Sequence, residues 1–148
     1  MSDRTASPSN LPRPTDPITL AQGLIACPSV TPEEGGALTL LEAVLQPLGF
    51  ATHRVRFSDK DTPDVDNLVA TIGSGGPHLM LAGHTDVVPP GAGSLWTRPP
   101  FSGDLDGPYL YGRGAVDMKG GVAAFVAAVA RLRAEGWPET GTVTLLLT

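Results

Sequence analysis

One cysteine, Cys27, stands in the whole chain, so no intrachain disulfide can form and no zinc ribbon can be built on cysteine pairs. Basic residues are short: ten Lys and Arg against fifteen Asp and Glu leave a net charge of −5, and no basic patch offsets it. That balance disfavours nucleic acid as a partner. Long apolar runs are missing too. The longest, residues 122–130, is far too short to cross a bilayer. The opening MSDRTASPSN has no apolar segment of the kind a secretory leader needs, so the expected location is cytoplasmic. What remains is an ordinary globular composition, with 41% hydrophobic and 17% charged residues over 148 positions, enough for one real core. Eighteen glycines and fifteen prolines cluster between periodic segments, as loop builders do. There is no internal repeat and no interdomain linker. Residues 1–15 read as a loose tail and 16–148 as one domain.

The pattern along the chain is that of an α/β protein. Asp16-Pro17 is a helix start, with Asp16 as N-cap and Pro17 in the first turn, and Ile18, Leu20, Ala21, Leu24 and Ile25 form one face up to Pro28. Thr31-Pro32-Glu33-Glu34 repeats the start signal before a stripe of Leu38, Leu41, Val44, Leu45 and Leu48, which Gly49 closes. Gly35-Gly36 makes that start irregular. Strands are expected over 50–57, 67–72, 79–83 and 142–147, with a polar loop at 58–66. The short spacing between the first two suggests an antiparallel pair. The helix with Val122, Phe125, Val126, Val129 and Leu132 on one face, ended by Gly136 and Pro138, allows a parallel crossover into the last strand. The expected architecture is a mixed, twisted sheet with helices on both faces. Residues 89–107 form a long loop, onto which Trp96 and Phe101 are expected to fold as simple packing. His53 and His78 have exposed-looking surroundings and receive no role.

Chemistry concentrates at two places. The strand LMLA runs into Gly83-His84-Thr85-Asp86. Residues two apart in extended chain point the same way, so His84 and Asp86 share a face at the strand's C-terminal end, where open α/β sheets hold ligands. An imidazole beside a carboxylate suits a metal ligand kept in orientation. It equally suits a strand-end histidine satisfied by a neighbour. The second place is Asp117, in GRGAVDMKGG. It reads as the N-cap of the helix that follows, except that Lys119 puts a cation in the first turn and Gly120-Gly121 weakens the helix start. Glycines crowded around one carboxylate, Gly114, Gly120 and Gly121, indicate a close backbone approach or unusual torsions. A carboxylate brought to His84 would give part of a metal site suited to zinc and other divalent ions.

The segments GHTDVVPPG, W-T-R-P-P-F and LYGRGAVDMKGG, in that order, resemble the two-zinc aminoacylase and carboxypeptidase family from about Ile18 to Thr148. The resemblance implies the catalytic domain of a zinc-exopeptidase-like fold that hydrolyses the amide of a small N-acyl amino acid. It implies two divalent metal ions, zinc in the first place and cobalt or manganese as alternatives. His84 would ligate one ion, Asp117 would bridge both, Asp86 would act in catalysis by holding the His84 ring, and the Asp117–Met118 bond would be cis. The full-length enzyme would be a homodimer without membrane or nucleic-acid partners. The acid pair that the family places after a strand like TVTLLLT, a glutamate base followed by a ligand, is not among these residues. A further carboxylate, a later histidine and the smaller domain are not among them either. Glu33, Glu34, Glu42, Glu135 and Glu139 do not match those positions, so these residues alone are expected to bind metal weakly, to be inactive and to aggregate readily. A sister deacylase or carboxypeptidase, or a non-catalytic binding fragment, are the competing readings.

Overall fold

Asp16 caps the first helix as its position requires: its carboxylate accepts the Ile18 N–H at 3.0 Å, and Pro17 opens α1 (Pro17–Ala26). The computed structural model describes residues 11–136 and 140–148. The tail expected at 1–15 therefore lies mostly outside the described residues, as does Pro138.

The second helix, α2 (Ala37–Leu45), starts later than Thr31-Pro32-Glu33-Glu34 suggests. Gly35 and Gly36 take φ of +55° and +94°, which a right-handed helix cannot contain. Glu34 still serves the helix from outside, its carboxylate accepting the Leu38 N–H at 2.8 Å. A single tight turn, Gln46–Leu48, and Gly49 then lead into β1 (Ala51–Asp59).

β1 pairs antiparallel with β2 (Thr62–Ser74), and the pairing continues to Asp59↔Thr62. Residues 58–66, expected as a loop, are thus mostly the arm of a long hairpin. Cross-strand chemistry supports it: Arg56 meets Asp66 through two bonds of 2.8 and 2.9 Å. β3 (His78–Gly83) and β6 (Gly141–Leu147) complete a sheet of order β1-β2-β6-β3. β6 runs antiparallel to β2 and parallel to β3. The crossover from β3 to β6 passes through a small ribbon, β4 (Leu105–Asp106) and β5 (Tyr109–Leu110), and then α3 (Gly120–Gly136).

The expected mixed α/β fold is what forms. Leu68, Ala70 and Ile72 of β2 and Val143, Leu145 and Leu147 of β6 share one face by register and are all buried. Leu20, Leu24, Leu38, Leu41, Leu45, Val122 and Val126 from the three helices join them in one core. Each such side chain contributes about 1.5–3 kcal/mol by leaving water. All three helices are spent on that face. The opposite face, where the sequence pattern calls for a second helix layer, carries none among the described residues and leaves Phe57 and Met80 more than half exposed. A polar line crosses it instead: Thr144 Oγ1 is bonded to Thr71 Oγ1 at 3.0 Å and to His78 Nε2 at 2.9 Å.

Candidate metal centre

β3 ends at Gly83, and the chain turns out of the sheet with His84, Thr85 and Asp86 at the C-terminal end of β3. Two sets of bonds fix this turn. Thr148 donates its N–H to the Gly83 carbonyl at 3.0 Å, and the Thr85 hydroxyl donates to the Thr148 carbonyl, also at 3.0 Å. From the other side, the segment after α1 lies parallel to it: the Ser29 hydroxyl donates to the Thr85 carbonyl at 2.7 Å, and the Val87 N–H to the Ser29 carbonyl at 2.8 Å. The Thr31 hydroxyl then holds the Asp86 carboxylate at 2.5 Å.

Asp117 arrives from the far end of the crossover. It sits in an irregular turn, Ala115–Lys119, with φ −130° and ψ 98°, and its peptide bond to Met118 is cis. It is therefore not a residue of the helix behind it. Gly83 permits the approach: a Cβ there would lie 3.0 Å from Val122 Cγ2 and 3.1 Å from Met118 Cε. Bare backbone at the strand end lets the start of α3 come down onto β3. Gly120 does the same inside the turn, where a Cβ would stand 2.5 Å from the Ala115 carbonyl oxygen.

The two ends meet. His84 Nε2 lies 2.9 Å from Asp117 Oδ1. On the other side of the ring, His84 Nδ1–H donates to the Asp86 main-chain carbonyl at 2.9 Å, and the Asp86 carboxylate stands at 3.3 Å. A carbonyl only accepts, so Nδ1 carries a proton, while Nε2 faces the Asp117 carboxylate: in the imidazolium it donates there, and in the neutral ring it is the nitrogen open to a ligand role. The ring is oriented by the main chain of Asp86 first and by its side chain second. Partial burial disfavours the imidazolium. The Asp86 carbonyl, and then the Asp117 carboxylate, outweigh that and hold the His84 pKa above its ordinary value.

The donor types fit a divalent ion. Zinc bonds of about 2.1 Å to nitrogen and oxygen in tetrahedral geometry separate the two donors by about 3.4 Å. The observed 2.9 Å needs only a few tenths of an ångström of opening, and Asp117 is 84% exposed and free to yield it. The shell is incomplete: among the described residues no three His, Cys, Asp or Glu side chains form a metal-holding group.

Around this pair lies an open cleft of about 580 Å³, lined among others by Thr31, Val88, Trp96, Tyr111 and Arg113. Sequence reasoning missed two of its lining residues and a buried lysine behind the turn that carries Asp117. Trp96, expected only to pack, walls the cleft and stacks under the Arg113 guanidinium at 5.2 Å. Thr31, read as part of a helix start, restrains Asp86. Lys119 is fully buried and donates to the Cys27 carbonyl at 2.7 Å. Its position as a cation in a first turn was the one visible signal that it does something other than cap a helix. Burial, opposed more weakly by Cys27 and Asp86, lowers its pKa to about 8.

Residues 80–148 match the model of Peptidase family M20/M25/M40. That segment runs from β3 through His84 and Asp117 to the last strand. The resemblance drawn from GHTDVV and GRGAVDMKGG also extends over nearly the whole chain: a succinyl-diaminopimelate desuccinylase from Parvibaculum lavamentivorans is 55% identical over 144 residues, 97% of this chain and 36% of that protein. Two solved structures share the fold. Human carnosine dipeptidase 1 superposes with a TM-score of 0.77 at 24% identity, over 88% of this chain and 31% of its own. An M20 family metallo-carboxypeptidase from Sulfolobus solfataricus gives 0.74 at 25% identity, over 89% of this chain and 30% of its own. The chain thus spans about a third of the length of each of these proteins.

Proposed function

We propose that residues 16–148 form the N-terminal part of the catalytic domain of a metal-dependent amidohydrolase that cleaves N-succinyl-diaminopimelate to succinate and diaminopimelate, a precursor of lysine and peptidoglycan, in the cytoplasm. The observation that carries this reading is the meeting of His84 Nε2 and Asp117 Oδ1 in the lining of a cleft. The desuccinylase relative supports the choice of substrate.

His84 would hold one divalent ion through Nε2, and Asp117 would bridge that ion and a second, with zinc as the metal. Such ions polarise an amide carbonyl and acidify water when bound. The chain's own residues do the positioning. Asp86 fixes the ring so that Nε2 faces Asp117, and Thr31 keeps the Asp86 carboxylate from swinging away. The two supplied donors fall short of the three protein ligands that a catalytic zinc site uses. These 148 residues alone therefore bind metal weakly and do not turn substrate over, and the full-length enzyme acts as a homodimer.

The test pairs two proteins. The full-length enzyme should hydrolyse N-succinyl-diaminopimelate in preference to N-acetylornithine, and the purified 148 residues should hydrolyse neither. A full-length enzyme that prefers the acetylated substrate moves the assignment to a sister deacylase. Zinc-dependent turnover by the short chain contradicts its proposed inactivity.

A further inference from the structure

Two arginines stand near the crossover ribbon, Arg113 in the lining of the cleft and Arg98 outside it, and they are treated differently. Arg98 stacks on Tyr111 at 4.6 Å and has its charge answered by Asp106 at 2.6 Å and Asp104 at 3.8 Å. Arg113 stacks on Trp96 in the same manner, yet no carboxylate, carbonyl or hydroxyl among the described residues accepts from its guanidinium. Its Nε is buried without a partner. A buried donor left unmatched is costly, and a guanidinium offers several donors in a planar fork built for a carboxylate. The Trp96 ring lies 5.2 Å from the Arg113 Cζ and supports the guanidinium without accepting a hydrogen bond in its plane. The residue lines the same cleft as His84 and Asp117.

We propose that Arg113 is the anion-recognition residue of this cleft: its guanidinium, supported by the Trp96 ring, takes a carboxylate of the substrate and so sets specificity for an acid-bearing acyl amino acid. The inference rests on the hydrolase reading above for the identity of the substrate, and on Arg113 alone for the site. Asp86 and Asp117 are the negative groups that such a carboxylate would meet in the cleft. Cations at His84 and Asp117 would remove that repulsion, so anion binding should tighten when divalent metal is present. Recognition by a charge-assisted fork also explains how a cleft this open can select its ligand: direction and charge do the selecting, and enclosure is not needed.

The experiment is a succinate titration of the chain carrying Trp137→Phe, so that Trp96 fluorescence is the only indole signal, with and without zinc. Arg113→Gln should weaken succinate binding by about tenfold to a hundredfold, the range for a charge-assisted bond, and Arg113→Lys should recover part of it. Zinc affinity should not change in either variant, which separates a failure here from a failure of the metal reading. A parallel titration with diaminopimelate distinguishes a carboxylate on the acyl half from one on the amine half; tighter binding of either, lost in Arg113→Gln, supports the assignment. Equal affinity of the parent and Arg113→Gln for both ligands, or no response of Trp96 to either, overturns it.

Discussion

The Lys119 ammonium donates to the Cys27 carbonyl at 2.7 Å, across 92 positions of sequence, from a side chain with no solvent exposure. This bond ties the end of α1 to the turn that carries Asp117. Its stem also runs past Gly114, whose missing Cβ would stand 3.3 Å from Lys119 Cδ. Removing the side chain would leave a cavity and take from the Cys27 carbonyl its charged donor, leaving it the Ser29 N–H at 2.8 Å. Lys119→Ala is expected to cost about 2–4 kcal/mol of stability, read as a lowered midpoint in urea. A loss under about 0.5 kcal/mol would mean that the turn is held by other contacts.

The same contact acts on the thiol. Burial raises the Cys27 pKa, and the Lys119 charge lowers it by less. The folded thiol therefore keeps its proton to higher pH than the unfolded one, so folded-state stability from this group falls as pH rises from the ordinary thiol pKa through the raised value. The rate of alkylation by iodoacetamide should rise with pH along a profile displaced upward from that of a free cysteine. A profile at or below that of free cysteine would show that the thiol is not shielded.

Close approach at Gly120 makes a sharper claim. Gly120→Ala forces a Cβ to within 2.5 Å of a main-chain oxygen, which cannot move aside as a flexible side chain would. A loss of about 1–3 kcal/mol or more is expected, measured as thermal stability. Gly93→Ala, where a Cβ would meet nothing within 4 Å, serves as the control and should stay within about 0.5 kcal/mol of the parent.

The uncovered sheet face bears on solubility. Phe57 is 65% and Met80 56% exposed, and β1 and β3 are both edges. Such a surface favours association. Met80→Lys should raise the concentration at which light scattering begins, with little effect on the melting midpoint. An unchanged threshold would mean that aggregation starts elsewhere.

Much of the fold was legible from sequence because local signals and core contacts agree. The Asp16-Pro17 start, the Leu38–Leu45 stripe and the β3–α3–β6 crossover form where their patterns place them and bury most of their apolar faces, although Ile18, Leu79 and Leu132 stay exposed. The hairpin arm was not legible, because residues 58–66 are polar on both sides and are held by cross-strand pairing that no single strand's pattern records. The site divides in the same way. His84 and Asp86 share one short stretch, and alternation alone aligns them. That Asp117 reaches them depends on the missing side chains at Gly83 and Gly120, which show in sequence only as an excess of glycine. Thr31 and Arg113 gave no signal, since each gains its role from a partner far along the chain.

The central claim is that His84 and Asp117 grip the same cation, and a double-mutant cycle on zinc affinity tests it most directly. Zinc binding to the chain, His84→Ala, Asp117→Ala and the double variant should be measured by competition with a chromophoric chelator. If the two side chains share an ion, each single change weakens zinc by about tenfold or more, and the double change loses clearly less than the sum of the two in free energy. Strictly additive losses, or an affinity indifferent to either change, would contradict the account.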